Sequence, residues 1–180
     1  MKPTPQNPAP GRLYSEPPHA YTFEDCEFYH TVDLPGHGVI EGQRDLRGRI
    51  RDYTGGIELA GKKVLDIGTA SGFLTFEMEK QGAEIVSFDA DCGERVHKFP
   101  LHGSKPVTDP EASALTTSAF LARLRNSYWM VHQATGSKAQ AVYGDVYALP
   151  ESMGLFDVVV VGQILIHLRD PLAALAAGSP

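Results

Sequence analysis

The strongest chemical signal in this sequence of 180 residues is an aspartate that precedes a turn of small residues. Asp66 stands within the apolar run 63–67 and is followed by the turn Gly68-Thr69-Ala70-Ser71-Gly72. Glycines in such a turn let the backbone approach a ligand closely, because no Cβ stands in the way. The Asp66 carboxylate can accept a hydrogen bond from an ammonium group, or it can orient the turn. The pattern predicts a ligand-binding turn between a strand and a helix.

A second carboxylate, Asp89, ends the next apolar run, which begins at Glu84. A carboxylate at a strand end can accept hydrogen bonds from both hydroxyls of a ribose, as it does in dinucleotide-binding folds. Asp91 is a neighbour that could take its place, and a solvated acid at the strand end is the plainer alternative. Together with the glycine turn, Asp89 favours a ligand that contains a nucleoside.

Two later apolar runs also end in residues that can contact a ligand. The run 139–143 leads into Gly144-Asp145-Val146, and the run 156–161 leads into Gly162 and Gln163. His167 follows, and a histidine near neutral pH can accept a proton from a reacting group. The alternative is that His167 only packs or caps the turn before the next helix.

These residues need a sheet to bring them together. The apolar runs predict strands over 63–67, 84–89, 139–143 and 156–161, and helical spacing predicts helices over 73–81 and 118–134. Asp170 as cap and Pro171 at the first position predict one more helix. Residues 93–112 contain three prolines and are predicted as a loop. Alternation of strand and helix predicts an α/β fold with a parallel sheet.

The segment before the first of these strands divides into two parts. Residues 1–20 hold six prolines and few apolar side chains, which predicts a disordered or extended tail. Residues 21–62 carry aromatic side chains and turn glycines, with a helical piece predicted from Arg44 to Tyr53. We therefore expect a cap segment over 21–62 and a core domain over 63–180.

Composition limits the class of protein. The formal net charge is −6 and no run of Lys or Arg exists, which argues against DNA as a partner. The two cysteines, Cys26 and Cys92, form no CxxC pair or His/Cys cluster, so neither a metal site nor a disulfide is predicted. No apolar stretch is long enough to cross a membrane, and no signal peptide is recognisable, so we expect a cytoplasmic protein.

The ordered motifs resemble those of class I, Rossmann-like S-adenosylmethionine-dependent methyltransferases. The turn after Asp66 is similar to the family's D-x-G-x-G-x-G, with Ala70 in place of the middle glycine, whereas it does not fit the G-x-G-x-x-G of dinucleotide folds. The resemblance implies that Asp89 binds the ribose of the cofactor, that Asp145 and Val146 contact adenine, and that Gly162 and Gln163 flank the amino-acid end. The implied cofactor residues are Asp66, Gly68, Thr69, Ala70, Gly72, Asp89, Ala90, Asp145, Val146, Gly162 and Gln163.

A looser resemblance extends over most of the chain. The stretches 28–35, 66–91 and 125–132 are similar to a bacterial subgroup related to enzymes that transfer methyl or carboxymethyl groups to the wobble uridine of tRNA. The expected methyl acceptor is therefore a small molecule or a modified nucleoside. In related folds an N-terminal segment covers the mouth of the cofactor site, so we expect Tyr29, His30 and Arg44 to contact the acceptor, with His167 as the catalytic base. The alternative is that the cap covers only an apolar face of the sheet.

The sequence departs from the family in one respect that bears on activity. Only four strands are recognisable, in the expected order 3-2-1-4, and the C-terminal strands of the usual fold are absent. The fourth strand, with its four valines from Val158 to Val161, would then form an exposed edge. We expect a truncated form, a fragment, or a core completed by a second copy as a homodimer. A cofactor-binding but inactive domain is the alternative function, and an NAD-binding oxidoreductase fragment is disfavoured by the glycine spacing.

Overall fold

The structure, a computed structural model, describes residues 12–18, 20–96 and 108–178. Within those ranges six strands and four α-helices alternate in an α/β arrangement, and short 3₁₀ turns connect several of them. The strands are β1 Val32–Leu34, β2 Gly38–Ile40, β3 Lys63–Ile67, β4 Glu84–Ala90, β5 Gln140–Gly144 and β6 Val158–Val161. The helices are α1 Ile50–Tyr53, α2 Phe73–Lys80, α3 Pro110–Thr135 and α4 Pro171–Ala177.

One parallel sheet holds the four strands that the apolar runs predict. Its order is β5-β4-β3-β6, which confirms the expected order 3-2-1-4. The central strand β3 pairs on both sides, and Val64 lies opposite Ile85 of β4 and Val158 of β6. Because all four strands run in one direction, their carboxyl ends meet at the same edge of the sheet. The turns that follow Ile67, Ala90, Gly144 and Val161 therefore converge there.

Alternate side chains of each strand are buried on opposite faces of the sheet. Val64 of β3 packs with Leu74 and Met78 of α2, whereas its neighbour Leu65 packs with Val86 of β4 in a cluster on the opposite face. Successive side chains of a strand point to opposite faces, so both must be covered for such a strand to be apolar throughout. Asp66 shares the face of Val64 and therefore points beneath α2.

Helix α3 is longer than the sequence analysis predicts. It begins at Pro110 rather than near residue 118, and Asp109 caps it by accepting a hydrogen bond from the Ala112 amide at 2.9 Å. The prediction that Pro110 lies in a loop is therefore wrong. Proline fits the first helical position, because the amide it lacks would have no partner within the helix there. Asp170 and Pro171 open α4 in the same way, as predicted.

Helix α1 is shorter than predicted, since it covers only Ile50–Tyr53. The predicted start at Arg44 is wrong. Arg44 instead forms an isolated parallel bridge with His30, and Gly48 has a φ of +74° that an α-helix does not accommodate. The predicted helical piece is therefore confined to the single turn Ile50–Tyr53.

The cap segment, residues 21–62, is tied to α3 by hydrogen bonds from Ser127 and Arg123. Ser127 of α3 accepts a hydrogen bond from the Glu27 amide at 2.8 Å and donates one to the Glu27 carbonyl at 2.6 Å. Arg123 donates to the carbonyls of Glu24 and Cys26 at 2.9 and 2.7 Å. Ser127 is fully buried, so separating its hydrogen bonds is costly, and these contacts hold the cap against α3.

The described part of the predicted N-terminal tail lies against the outer edge of β5. The Ser15 amide donates a hydrogen bond to the Ala141 carbonyl at 2.8 Å, and Leu13 and Tyr14 pack against the cluster that contains Val142. Residues 12–18 are therefore extended but attached to the domain. Residues 1–11 lie outside the described residues.

At the opposite edge of the sheet, no further strand follows β6 among the described residues. Strand β6 pairs with β3 alone among the described strands, and the Val159 side chain is 38% exposed. Cys26 and Cys92 are both free thiols. No helix of the described ranges is long and apolar enough to cross a membrane.

Candidate functional site

A cavity of about 180 Å³ opens where the carboxyl ends of β3, β4 and β6 meet. It brings together residues that the sequence analysis selected for different reasons. From the strand ends come Gly68, Thr69, Ala70, Asp89, Gly162 and Gln163, and from the cap and the turn after β6 come Tyr29, His30, Arg44 and His167. Tyr29, His30 and Arg44 of the cap thus lie at the ends of β3 and β6, whereas their expected contact with a methyl acceptor stays a prediction.

Gly68 keeps the cleft between β3 and β6 open. It has a φ of +83°, and an added Cβ would lie 2.0 Å from Cγ2 of Ile164 on the facing wall. Both the left-handed backbone and the lack of space therefore require glycine at this position. The bare Cα of Gly68 is part of the cavity wall, as the glycine turn predicts.

Asp89 is held in one orientation by two backbone amides. Its Oδ2 accepts a hydrogen bond from the Ala70 amide at 2.7 Å, and its Oδ1 accepts one from the Ala90 amide at 2.8 Å. Burial raises the pKa of Asp89, while these two amide hydrogen bonds act in the opposite direction. Each carboxylate oxygen has a further lone pair available. A fixed, half-buried carboxylate on the cavity wall is suited to bind two neighbouring hydroxyl groups.

Asp66 does not line the cavity but lies fully buried beneath the turn. Its Oδ2 accepts a hydrogen bond from the Thr75 hydroxyl at 2.6 Å, and Thr75 contacts Thr69 and Ser87 through hydroxyl pairs at 2.9 and 2.8 Å. Burial raises the pKa of Asp66 to about 6, and the Thr75 hydroxyl partly offsets that rise. Of the two roles that the sequence analysis leaves open, the geometry favours orientation of the turn.

Gly72 also lies outside the cavity wall. A Cβ at Gly72 would lie 2.4 Å from Phe76 and 2.7 Å from Tyr128, both of which are buried in the core. The glycine is thus required by packing between the turn, α2 and α3, and its φ of +87° adds to that requirement. The spacing of the two glycines alone does not distinguish a packing position from a position that contacts a ligand.

Three more of the implied cofactor residues, Ala90, Asp145 and Val146, are absent from the wall of this cavity. The carboxylate of Asp145 accepts a hydrogen bond from the Tyr147 amide at 2.9 Å, which fixes the turn after β5. Val146 is buried at 8% exposure. Their expected contacts with adenine stay predictions.

His30 is the buried polar residue on the cap side of the cavity. Its amide donates to the Ser71 hydroxyl at 3.2 Å, and its Nδ1 lies 3.5 Å from the same oxygen. Burial lowers the pKa of His30 to about 4, so the imidazole is neutral at pH 7. His167, in contrast, lies in the 3₁₀ turn Leu165–His167 and is exposed.

The cavity also contains residues that the sequence analysis did not select. Tyr53 accepts a hydrogen bond from Nε2 of Gln163 at 3.0 Å, which ties the cap to the end of β6. Phe120 and Leu124 reach the wall from α3. Their helical spacing was recognisable in the sequence, but the face of α3 that turns toward the strand ends depends on how the helix packs.

Comparison with known proteins identifies the family of this chain. Residues 41–177 match the sequence profile of a family described as a methyltransferase domain. The chain belongs to this family. The implied resemblance is therefore confirmed at the level of the methyltransferase family, whereas the tRNA-related subgroup stays a prediction.

Two curated relatives of this methyltransferase domain are ubiquinone biosynthesis O-methyltransferases of Aliivibrio fischeri. They are 30% identical in strain MJ11 and 29% identical in strain ES114 over 117 residues, which is 65% of this chain. The chain spans 38% of the length of these relatives. A solved structure titled as a putative RNA methyltransferase from Pyrococcus horikoshii is 16% identical with a TM-score of 0.39, and the match covers 72% of this chain and 48% of that chain.

Proposed function

We propose that this chain is an S-adenosylmethionine-dependent methyltransferase that acts on a small molecule or a modified nucleoside. The observation that carries the proposal is the cavity at the strand ends, in which the Gly68 turn and the Asp89 carboxylate share a wall. The chain's membership in the methyltransferase-domain family supplies the reaction class.

The residues on the cavity wall fit such a cofactor. Gly68 is a bare position that a Cβ would fill, and Asp89 is a fixed carboxylate with lone pairs to accept the two ribose hydroxyls. Thr69, Ala70, Gly162 and Gln163 would flank the amino-acid end of the cofactor. When bound, the cofactor supplies a methyl group that its sulfonium already activates.

The protein then has to position the acceptor and exclude water from the transfer. The cap provides a wall through Tyr29 and His30, and the bond between Tyr53 and Gln163 fixes that wall at the strand ends. For an acceptor that loses a proton, His167 is the exposed imidazole at the cavity that would take it up. The neutral, buried His30 would contact the acceptor beside it.

Binding of S-adenosylhomocysteine tests the cofactor part of the proposal. We expect it to raise the melting temperature of the folded chain, because a ligand selective for the native state stabilises that state. Gly68→Val should remove the shift, since its side chain would occupy the cleft toward Ile164. If millimolar S-adenosylhomocysteine leaves the melting temperature of the folded wild type unchanged, the proposal is rejected.

Calorimetry on two aspartate variants tests the site itself. Asp89→Ala should weaken binding by about 1–3 kcal/mol through loss of charge-assisted hydrogen bonds. Asp91→Ala is the control and should change affinity far less, because its carboxylate faces Arg95 at 3.3 Å. The opposite ranking would contradict the assignment of Asp89 to the ribose.

Transfer of a labelled methyl group from the cofactor to candidate acceptors separates an active enzyme from a domain that only binds. Binding of S-adenosylhomocysteine without transfer to any small molecule or nucleoside in such a screen would favour the inactive alternative.

A further inference from the structure

The part of the cavity formed by the cap and α3 is rich in aromatic side chains. Tyr29, Tyr53 and Phe120 all line it, and Phe120 is 39% exposed although it is fully apolar. Covering an aromatic face that is open to a cavity with a flat apolar group is favourable, because it removes apolar surface from water. This wall is therefore suited to a ring or another planar group of a ligand.

Arg44 provides a cation on the same wall. Its backbone is fixed on both sides: its amide donates to the Tyr29 carbonyl at 2.9 Å, and its carbonyl accepts from the Thr31 amide at 2.8 Å. Its guanidinium, however, forms no hydrogen bond or ion pair with the residues that the structure describes, and Arg44 is exposed. The Arg44 side chain is thus anchored at its base and unpaired at its tip.

Two other arginines of the cap are paired with carboxylates. Arg47 contacts Asp33 at 3.1 Å and Asp45 at 2.8 Å, and Arg49 contacts Asp52 at 2.8 Å. In a chain of net charge −6, carboxylates are not scarce. Arg44 and Arg51 are the cap arginines without a carboxylate partner among the described residues, and of these two only Arg44 lines the cavity.

The remaining titratable groups of the cavity leave Arg44 free for a ligand. Asp89 is the wall's carboxylate, and it is already bonded to the Ala70 and Ala90 amides and does not pair with Arg44. His30 is neutral because burial lowers its pKa to about 4. An anion in this partly enclosed space would therefore meet the guanidinium without displacing a protein carboxylate.

From this geometry we infer that the methyl acceptor is a planar anion whose carboxylate or phosphate group binds Arg44 and whose ring packs on Tyr29, Tyr53 and Phe120. The inference rests on the proposed function, since it concerns the acceptor side of the same cavity. Guanidinium is suited to either anion, because its planar fork can donate two parallel hydrogen bonds.

Calorimetry with two matched ligand pairs tests the inference on the full chain saturated with S-adenosylhomocysteine. The pairs are benzoate with benzamide, and uridine 5′-monophosphate with uridine. In at least one pair we expect the anion to bind about tenfold or more tightly than its neutral counterpart, as a charge-assisted pair would produce. A preference in the first pair alone identifies a carboxylate, and one in the second pair alone identifies a phosphate.

Three variants assign the preference to one side chain. Arg44→Gln should abolish it, and Arg44→Lys should retain part of it as a point charge without the planar fork. Arg51→Gln is the control, because Arg51 is exposed on α1 and outside the cavity wall. Equal loss in the Arg44→Gln and Arg51→Gln variants would show only a general charge effect and would overturn the inference.

The remaining outcomes separate this inference from the proposed function. If S-adenosylhomocysteine binds and neither pair shows a preference for the anion, the inference fails and the proposed function stands. A preference that persists in Arg44→Gln also overturns it. If S-adenosylhomocysteine itself does not bind the wild type, both are rejected.

Discussion

At the scale of single residues, burial separates two aspartates that look alike in the sequence. Asp66 and Asp89 each stand near the end of an apolar run, but only Asp89 reaches the cavity. Asp66 is 0% exposed and accepts its hydrogen bond from Thr75 beneath the turn, and its Oδ1 has no partner among the described residues. One carboxylate is therefore available to a ligand, and the other stabilises the turn that presents it.

The raised pKa of Asp66 predicts that the stability of the fold decreases as the pH rises and this buried carboxyl group ionises. Its pKa rises from 3.8 to about 6 on folding, so its favourable contribution is complete below pH 3.8 and is lost as the pH rises through 6. Asp66→Asn stays neutral, so the unfolding free energy of the variant relative to wild type should increase by about 2–3 kcal/mol between pH 4 and pH 7. Urea denaturation at several pH values measures this difference.

The matched control for this measurement is Asp52→Asn, at an exposed aspartate on α1. Its stability relative to wild type should vary little with pH in comparison. A difference between Asp66→Asn and wild type that stays constant from pH 4 to pH 7 would contradict the role of burial. His30 acts in the opposite sense in the wild type, since its folded pKa of about 4 causes stability to be lost as the pH falls from 6.5. Its effect cancels when the variant and the wild type are compared.

At the scale of elements, the turn between β3 and α2 uses its two glycines for different purposes. Gly68 faces Ile164 across the cavity, whereas Gly72 faces Phe76 and Tyr128 in the core. Both have positive φ angles, of +83° and +87°. The affinity for a ligand should therefore depend on Gly68, whereas the free energy of unfolding should depend more strongly on Gly72.

Gly72→Ala should lower the free energy of unfolding by about 2–4 kcal/mol, because its Cβ would overlap two core rings at a left-handed backbone position. Gly136→Ala is the matched control at the end of α3. It has a φ of +65°, but nothing lies within 4 Å of its added Cβ, so its cost should be about 1 kcal/mol. Equal losses in urea denaturation would show that backbone strain alone, without the contact, sets the effect.

At the scale of the whole molecule, two features go beyond the alternation of strands and helices. One is the cap, and the other is the edge of the sheet at β6. The cap lines one side of the cavity through Tyr29, His30 and Arg44. Among the described residues, no second strand pairs with β6, whose Val159 side chain is exposed. Such an edge is suited to pair with the edge of another strand.

We therefore predict that this chain self-associates as a homodimer through β6. Val159→Lys should shift the protein toward the monomer, because a charged side chain on an edge opposes strand pairing. Val39→Lys is the control, since Val39 is 52% exposed on the β1–β2 hairpin, away from this edge. Sedimentation equilibrium over a wide concentration range measures the association. A wild type that stays monomeric, or equal effects of the two variants, would contradict the prediction.

Much of the fold was determined by local patterns in the sequence. Four apolar runs predicted the parallel sheet and its order, because buried parallel strands need apolar residues on both faces. Asp170 followed by Pro171 predicted the start of α4 for reasons confined to one turn of helix. Asp109 and Pro110 carry the same signal for α3, and the sequence analysis missed it by treating three nearby prolines as one loop.

What only the tertiary structure decided was the direction and surroundings of each side chain. The motif contained both Gly68 and Gly72, but whether a glycine meets a ligand or a ring depends on residues far along the chain, Ile164 and Tyr128. The sequence identified Arg44 as a candidate site residue. That its guanidinium is unpaired became visible only from the structure, which shows the nearby carboxylates Asp33 and Asp45 paired with Arg47. Sequence spacing fixes local backbone geometry, whereas burial, pairing and pKa arise from contacts between distant segments, and these define the site.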